Sequence, residues 1–230
     1  MKIIVLSLDN DIGKERRKLL NYEYEVVWGN DTLDNVSSHI KNNWGIKYNQ
    51  PDINAYRGYI CHFDSYYKIL KKIVDEKIDD VVICEDDAFI KAQLNMPHSK
   101  DLGLGNCYDT PIHLNAMLHH PTTWMKDNKK YHDNYILHHV IAFEDGLNEI
   151  DYSAYRWSGT ACIYYPNYKS AQTIIDYIDN CKTKFTPLDL FLSKHKLIKY
   201  LCYPSLFYVD DNNITQNKSS HGYYDNYLKA

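Results

Sequence analysis

Three consecutive carboxylates, Glu85, Asp86 and Asp87, directly follow the apolar run Val81 to Cys84. A continuous apolar run of this kind is the pattern of a strand buried on both faces, so the triplet falls where such a strand leaves its sheet. Like charges so close together oppose one another's ionisation, and a divalent cation relieves the conflict. All-oxygen ligation suits Mn²⁺ or Mg²⁺, which take one or two carboxylates from a protein and the remaining ligands from substrate phosphates and water. That is the chemistry of a diphosphate-linked substrate. The competing reading of the triplet is a solvated acidic turn.

The elements around the triplet follow from periodicity. Ile3 to Leu8 is another short apolar run, and Gly13 to Leu20 has helical spacing, which predicts a strand-turn-helix opening. Tyr24 to Trp28 reads as a second strand closed by the turn pair Gly29-Asn30, and Asp31 to Asn54 as an irregular connection. Between Ala55 and Val74 the residues Ile60, Phe63, Tyr67, Leu70 and Val74 recur at helical intervals, giving one buried face. Strands are expected within Pro111 to Leu118, Tyr135 to Phe143 and Thr160 to Tyr165. Leu94 to Gly105 reads as loop, Tyr168 to Ile178 as helix, and Asp189 to His195 as a short helix after Pro187. Tyr200 to Val209 supplies one or two last strands around Pro204, and the tail from Asp210 is polar.

Several segments then resemble one family. Asp79-Asp80-Val81-Val82-Ile83-Cys84-Glu85-Asp86-Asp87-Ala88 resembles the hydrophobic strand followed by E-D-D of glycosyltransferase family 25, the lipooligosaccharide and collagen galactosyltransferases. Ile3 to Asp9 with Arg16 and Arg17 is similar to that family's opening strand and arginine, and Gly58 with the helix to Ile73 resembles its G-C-x-x-S-H helix. Gly159-Thr160-Ala161-Cys162-Ile163-Tyr164 resembles its G-T-x-G-Y strand, with Ala171 in the helix that follows, and Thr186 to Phe191 resembles its P-x-D-x-F/L segment. The chain departs from the pattern at Cys61-His62, where the family has Ser-His, and at Cys162, where it has glycine.

The resemblance implies an α/β chain of GT-A fold, a single domain over residues 1–230. A Rossmann-like nucleotide-binding half, about 1–95, would be fused to a smaller acceptor-binding half, about 96–230. It implies transfer of a hexose from a nucleotide-sugar, a UDP-hexose, to a glycan, lipid-linked or protein acceptor, with inversion at the anomeric carbon. Ser7, Leu8 and Asp9 would border the base and ribose, where ligands gather in open α/β sheets. Arg16 or Arg57 would reach the phosphates, although each also reads as a solvated helix-face charge. Asp87 would be the principal metal ligand, with Glu85 at a second metal position and Glu85 or Asp86 toward the ribose. His221 in the tail would be a further ligand. Inversion needs a general base, and Asp189 is the candidate; a simple helix N-cap is its other reading.

Other classes fit less well. The 230 residues carry 26 basic and 30 acidic side chains, with no basic run to bind nucleic acid. Six scattered cysteines without a C-x-x-C pair argue against a zinc ribbon or disulfide scaffold and suggest reduced thiols in a cytoplasmic protein. No apolar stretch approaches the roughly 20 residues of a membrane span. The histidines His119, His120, His132, His138 and His139 form no zinc signature. Trp28 and Trp157 fit either a stacking role or the core, and the 22 tyrosines are attributable to codon bias as readily as to sugar binding. Ile3 to Asp11 also resembles the D-x-D strand end of haloacid-dehalogenase-type phosphatases, with Asp9 as nucleophile and Asp11 as acid. A non-catalytic nucleotide-sugar-binding module is a third alternative.

Overall fold

The computed structural model describes residues 1–45, 53–90, 110–114, 117–119, 146–150, 156–158, 162–203 and 206–209. The expectations for Leu94 to Gly105, Tyr135 to Phe143 and the tail from Asp210, including His221, lie outside these residues.

The chain opens with β1 (Lys2–Ser7), α1 (Asp11–Leu19) and β2 (Glu25–Trp28). Asn10 caps α1, its side chain accepting from Gly13 N at 2.8 Å. The described residues of the connection that follows hold more regular structure than their polarity predicts. They include a 3₁₀ turn (Leu33–Asn35), helix α2 (Ser38–Asn43) and a second 3₁₀ turn (Ile53–Tyr56) leading into α3 (Arg57–Asp75). Within α2 only Ile40 is buried, and Val36 and Trp44 flank it as anchors. One apolar residue in so short a helix leaves no periodic signal; tertiary packing holds the segment instead.

Next come β3 (Val81–Glu85), β4 (Ala88–Ile90), β5 (Ile112–His113), β6 (Met117–His119), β7 (Gly146–Glu149), β8 (Arg156–Ser158) and β9 (Cys162–Tyr165). Helices α4 (Tyr168–Asn180) and α5 (Leu188–Lys194) precede β10 (Tyr200–Tyr203) and β11 (Phe207–Val209). The Pro111 to Leu118 run is divided between β5 and β6, which belong to different sheets. The last strands expected within Tyr200 to Val209 are β10 and β11.

Seven strands form one mixed sheet in the order β2-β1-β3-β9-β5-β10-β7, with β11-β4 and β6-β8 as two-stranded satellites. β2, β1 and β3 are mutually parallel, and β9 pairs antiparallel to β3. Successive side chains of the central strands enter opposite cores. Ile4 and Leu6 of β1, Val81 and Ile83 of β3, and Ile163 and Tyr165 of β9 join the core beneath α3 and α4. Ile3 and Val5, Val82 and Cys84, and Cys162 and Tyr164 join the core on the other face. Burial on both faces explains the unbroken apolar runs. In α3, Ile60, Phe63, Tyr66, Ile69, Leu70 and Ile73 are essentially solvent-free, and the Tyr66 and Tyr165 hydroxyls satisfy each other at 3.1 Å. Phe63, Phe185 and Phe191 form an aromatic knot that ties α3 to α5 and its preceding loop.

β1 lies between β2, which follows it through α1, and β3, which follows through α3. It is therefore the strand at which the winding reverses. The crevice beyond its carboxyl end is where an open α/β sheet receives ligands.

Candidate functional site

Register sets the site. β1 and β3 pair Leu6 with Glu85, and β1 and β2 pair Ser7 with Trp28. Ser7, Trp28 and the Glu85-Asp86-Asp87 turn therefore form one row along the carboxyl ends of the three parallel strands. Ser7 Oγ donates to Asp86 Oδ2 at 2.6 Å, closing the row between β1 and β3.

Arg16 belongs to the acidic cluster. Its Nη1 donates to Asp86 Oδ1 at 2.9 Å and to Asp87 Oδ2 at 3.2 Å, and its side chain is only 10% exposed. It is neither a solvated charge nor a guanidinium waiting over empty space; in this state it neutralises the carboxylates. Gly13 makes that reach feasible, because a Cβ there would lie 2.3 Å from Leu8 O and 2.9 Å from Ser7 Oγ. Helix α1 can approach the end of β1 only without that atom. The neighbouring Arg17 donates from Nη1 to Ser7 Oγ and to Leu8 O, and its guanidinium lies 4.5 Å from the Trp28 ring centroid.

The three acids differ in surroundings. Both oxygens of Asp86 are occupied, by Ser7 and Arg16. Glu85 is paired at 3.4 Å with Nε2 of His62, one helical face of α3 away. That contact is an ion pair and not an aligned hydrogen bond, since Nε2 has no hydrogen-bond partner. Asp87 is bonded through Oδ2 only, and its buried Oδ1 has no partner. Burial, then the charge of Glu85, raise the Asp87 pKa to about 7 against the opposing pull of Arg16, with Asp86 raising it further. For His62, burial favours the neutral ring, but the carboxylates of Glu85, Asp189 and Asp87 outweigh it and the pKa rises.

The influence on His62 locates Asp189. It sits in the first turn of α5, half-buried, with Pro187 at the N-cap position, so the capping reading does not hold. Its charge acts on His62 alongside Glu85 and Asp87. The fold thus brings one acid of α5 within electrostatic reach of His62. Leu8 is half-buried and Asp9 exposed at the mouth of β1. Arg57 is exposed at the start of α3, where its charge reaches Cys61. Asp11 is fully exposed and lies 3.7 Å from Lys14 on the outer surface of α1, which gives a second catalytic acid of the phosphatase kind nothing to face.

His62 was absent from the expected site. Its signal in the sequence is its place in the Cys61-His62 pair, where the resembled family has Ser-His, and its partner lies 23 residues on in β3. Among the described residues no three His, Cys, Asp or Glu side chains form a group able to hold a metal ion by themselves. The described cysteines are free thiols, and the sulfurs of Cys84 and Cys162 touch at 3.3 Å. No helix among the described residues is long and apolar enough to cross a membrane.

No family model matches the chain, and no curated protein matches it. Its structural likeness to one solved glycosyltransferase is weak. That crystal structure is of a glycosyltransferase involved in the glycosylation of the major capsid of PBCV-1; the TM-score is 0.35 at 7% identity, with both chains covered over 100% of their length.

Proposed function

We propose that this chain is a glycosyltransferase of GT-A type that transfers a hexose from a nucleotide-sugar, a UDP-hexose, to a glycan, lipid-linked or protein acceptor. The observation that carries this reading is the row of carboxylates at the carboxyl ends of β1 and β3, in which buried Asp87 Oδ1 lacks a partner. A carboxylate raised to about 7 by burial and then by its acidic neighbours, and left half-bonded, is a ligand suited to a cation. With few protein ligands on offer, the chemistry fits Mn²⁺ or Mg²⁺, which fill their shells from phosphate and water. Asp87 and Glu85 would hold the ion, and the tail histidine His221 would add to them. Bound there, the cation would supply Lewis-acid stabilisation of the departing diphosphate.

The chain's own residues have distinct parts in this reading. Asp86, fixed by Ser7 and Arg16, keeps the turn in place and faces the ribose. Arg16, already between Asp86 and Asp87, holds a positive charge beside the phosphates when the carboxylates turn to the ion. Asp189 accepts the acceptor hydroxyl proton as the new glycosidic bond forms, the expected role of a base in a single inverting displacement. His62, beside Glu85, has its protonated form favoured by the surrounding carboxylates and so offsets local negative charge.

Calorimetric titration against a panel of nucleotide-sugars, with Mn²⁺ and again with EDTA, tests the proposal. One donor is expected to bind only with metal, and Asp87→Ala is expected to lose that binding while retaining the wild-type circular dichroism. Absence of metal-dependent binding to every donor would overturn it.

A further inference from the structure

Trp28 stands out among the described residues of the principal sheet. Together with Met1 and Leu19 it is one of the exposed large hydrophobic residues among those described, at 52% exposure, yet it sits at the end of a strand in the principal sheet. Its backbone is held firmly. Gly29 N donates to Ser7 O at 2.8 Å, and Asn30 N to Ser65 Oγ at 2.8 Å. The Asn30 side chain donates to Asp64, which has no solvent exposure. The ring is held as well, because the guanidinium stacked on it is itself fastened to Ser7 and Leu8. An indole held half-exposed on a rigid turn offers a flat apolar face at the carboxyl ends of the parallel strands, where an open α/β sheet receives ligands.

We propose that Trp28, fixed by Arg17, is the stacking platform for the base of a nucleoside diphosphate whose phosphates lie at the Asp86-Asp87 turn. This rests on the nucleotide-sugar reading above and assigns the end of the site where the nucleoside lies. Trp28 pairs with Ser7, and Ser7 bonds Asp86, so indole and carboxylates are two inter-strand spacings apart, roughly 10 Å. That is on the order of the separation between a base and its terminal phosphate. The nucleoside can extend along the row only toward β2. On the other side of β3 the next strand, β9, is antiparallel and presents its opposite end. A base has a π-face for the indole, and the sugar, on the far side of the diphosphate, points away toward α5.

The test uses the whole chain with Mn²⁺ and compares UDP, GDP, ADP and CDP with inorganic pyrophosphate by calorimetry, in wild type, Trp28→Ala, Trp28→Phe and Asp87→Ala. Trp28→Ala is expected to weaken the preferred nucleoside diphosphate about 10- to 100-fold, the loss typical of a base–aromatic stack, and to leave pyrophosphate unchanged. Trp28→Phe should recover most of the affinity, and nucleotide should quench tryptophan fluorescence in wild type more than in Trp28→Ala. Unchanged nucleotide affinity in Trp28→Ala, with binding still lost in Asp87→Ala, overturns the platform and leaves the proposed function standing. Equal losses for nucleotide and pyrophosphate also overturn it. If wild type binds none of these ligands, both the platform and the reading beneath it fail.

Discussion

Asp87 is set apart from its two acidic neighbours by a missing contact, and its titration carries the consequence. Its pKa is raised from 3.8 to about 7 by burial and by Glu85, so from about pH 4 to about 7 the native state binds a proton that the unfolded chain has released. Stability from this group is therefore greatest at acid pH and falls as pH rises through that window. His62 acts in the same direction. Its raised pKa makes the folded state favour the protonated ring, a contribution present at low pH and lost as pH rises through the folded value. In EDTA, Asp87→Asn should leave the melting temperature unchanged below pH 3.8, where the wild-type carboxyl is neutral in the folded and the unfolded chain alike. At pH 8 it should raise it by several degrees, since about 1 kcal/mol moves a chain of this size by about 2–4 °C. Scanning fluorimetry across pH decides the matter: parallel profiles for the two proteins would mean that the Asp87 charge is solvated in the folded state.

At the scale of elements, the site depends on two close approaches that no local pattern announces. The first is α1 on β1 through Gly13. Gly13→Ala places a methyl 2.3 Å from a backbone carbonyl that cannot swing aside, so α1 must shift and carry Arg16 and Arg17 away from their partners. Urea denaturation should show a loss of about 1–3 kcal/mol, the usual cost of overpacking; a loss below about 0.5 kcal/mol would show that α1 yields freely. The second is the clasp around Asp64, which accepts from Asn30 Nδ2 and from Ser37 N and Oγ and pairs with Lys68 at 2.7 Å. Asp64→Ala leaves buried donors unmet and should cost about 2–4 kcal/mol with an unchanged m-value. An affinity loss for nucleotide should accompany it, because the clasp holds the turn that carries Trp28. Sequence reasoning reached β1, β3 and α3 because double-faced burial and helical spacing write themselves into consecutive residues. It did not reach β4, β7 or β8, which are three or four residues long and take their order from strand pairing. Nor did it reach the ion pairs of Arg16 with Asp86 and of His62 with Glu85, whose members lie 70 and 23 residues apart. The acids themselves were legible because they are adjacent; their partners were not, because only the folded sheet makes them neighbours.

For the whole molecule, the arrangement predicts that cation and nucleotide bind as linked events. Elements far apart in the chain meet at one turn: β1 and α1 bring Ser7, Arg16 and Arg17, α3 brings His62 and β3 brings the acids, with Asp189 of α5 within electrostatic reach of His62. Arg16 pairs with Asp86 and Asp87, His62 lies beside Glu85, and Asp87 is half-protonated near neutral pH. A nucleoside diphosphate approaching alone meets like charge, and a cation approaching alone finds too few ligands. Each supplies what the other lacks, and a coupling of this kind must be equal in both directions. Mn²⁺ alone and UDP alone should each raise the melting temperature little, while the two together should raise it by more than the sum of the separate shifts. The stabilisation should grow with ligand concentration as binding to the native state requires. In Asp87→Ala the excess over additivity should vanish, whereas in Trp28→Ala it should persist at higher nucleotide concentration, because that variant weakens the base contact without touching the charges. Strictly additive shifts in the wild-type protein would mean that metal and nucleotide occupy separate places, and the carboxylate row would then be a structural feature of the turn after β3.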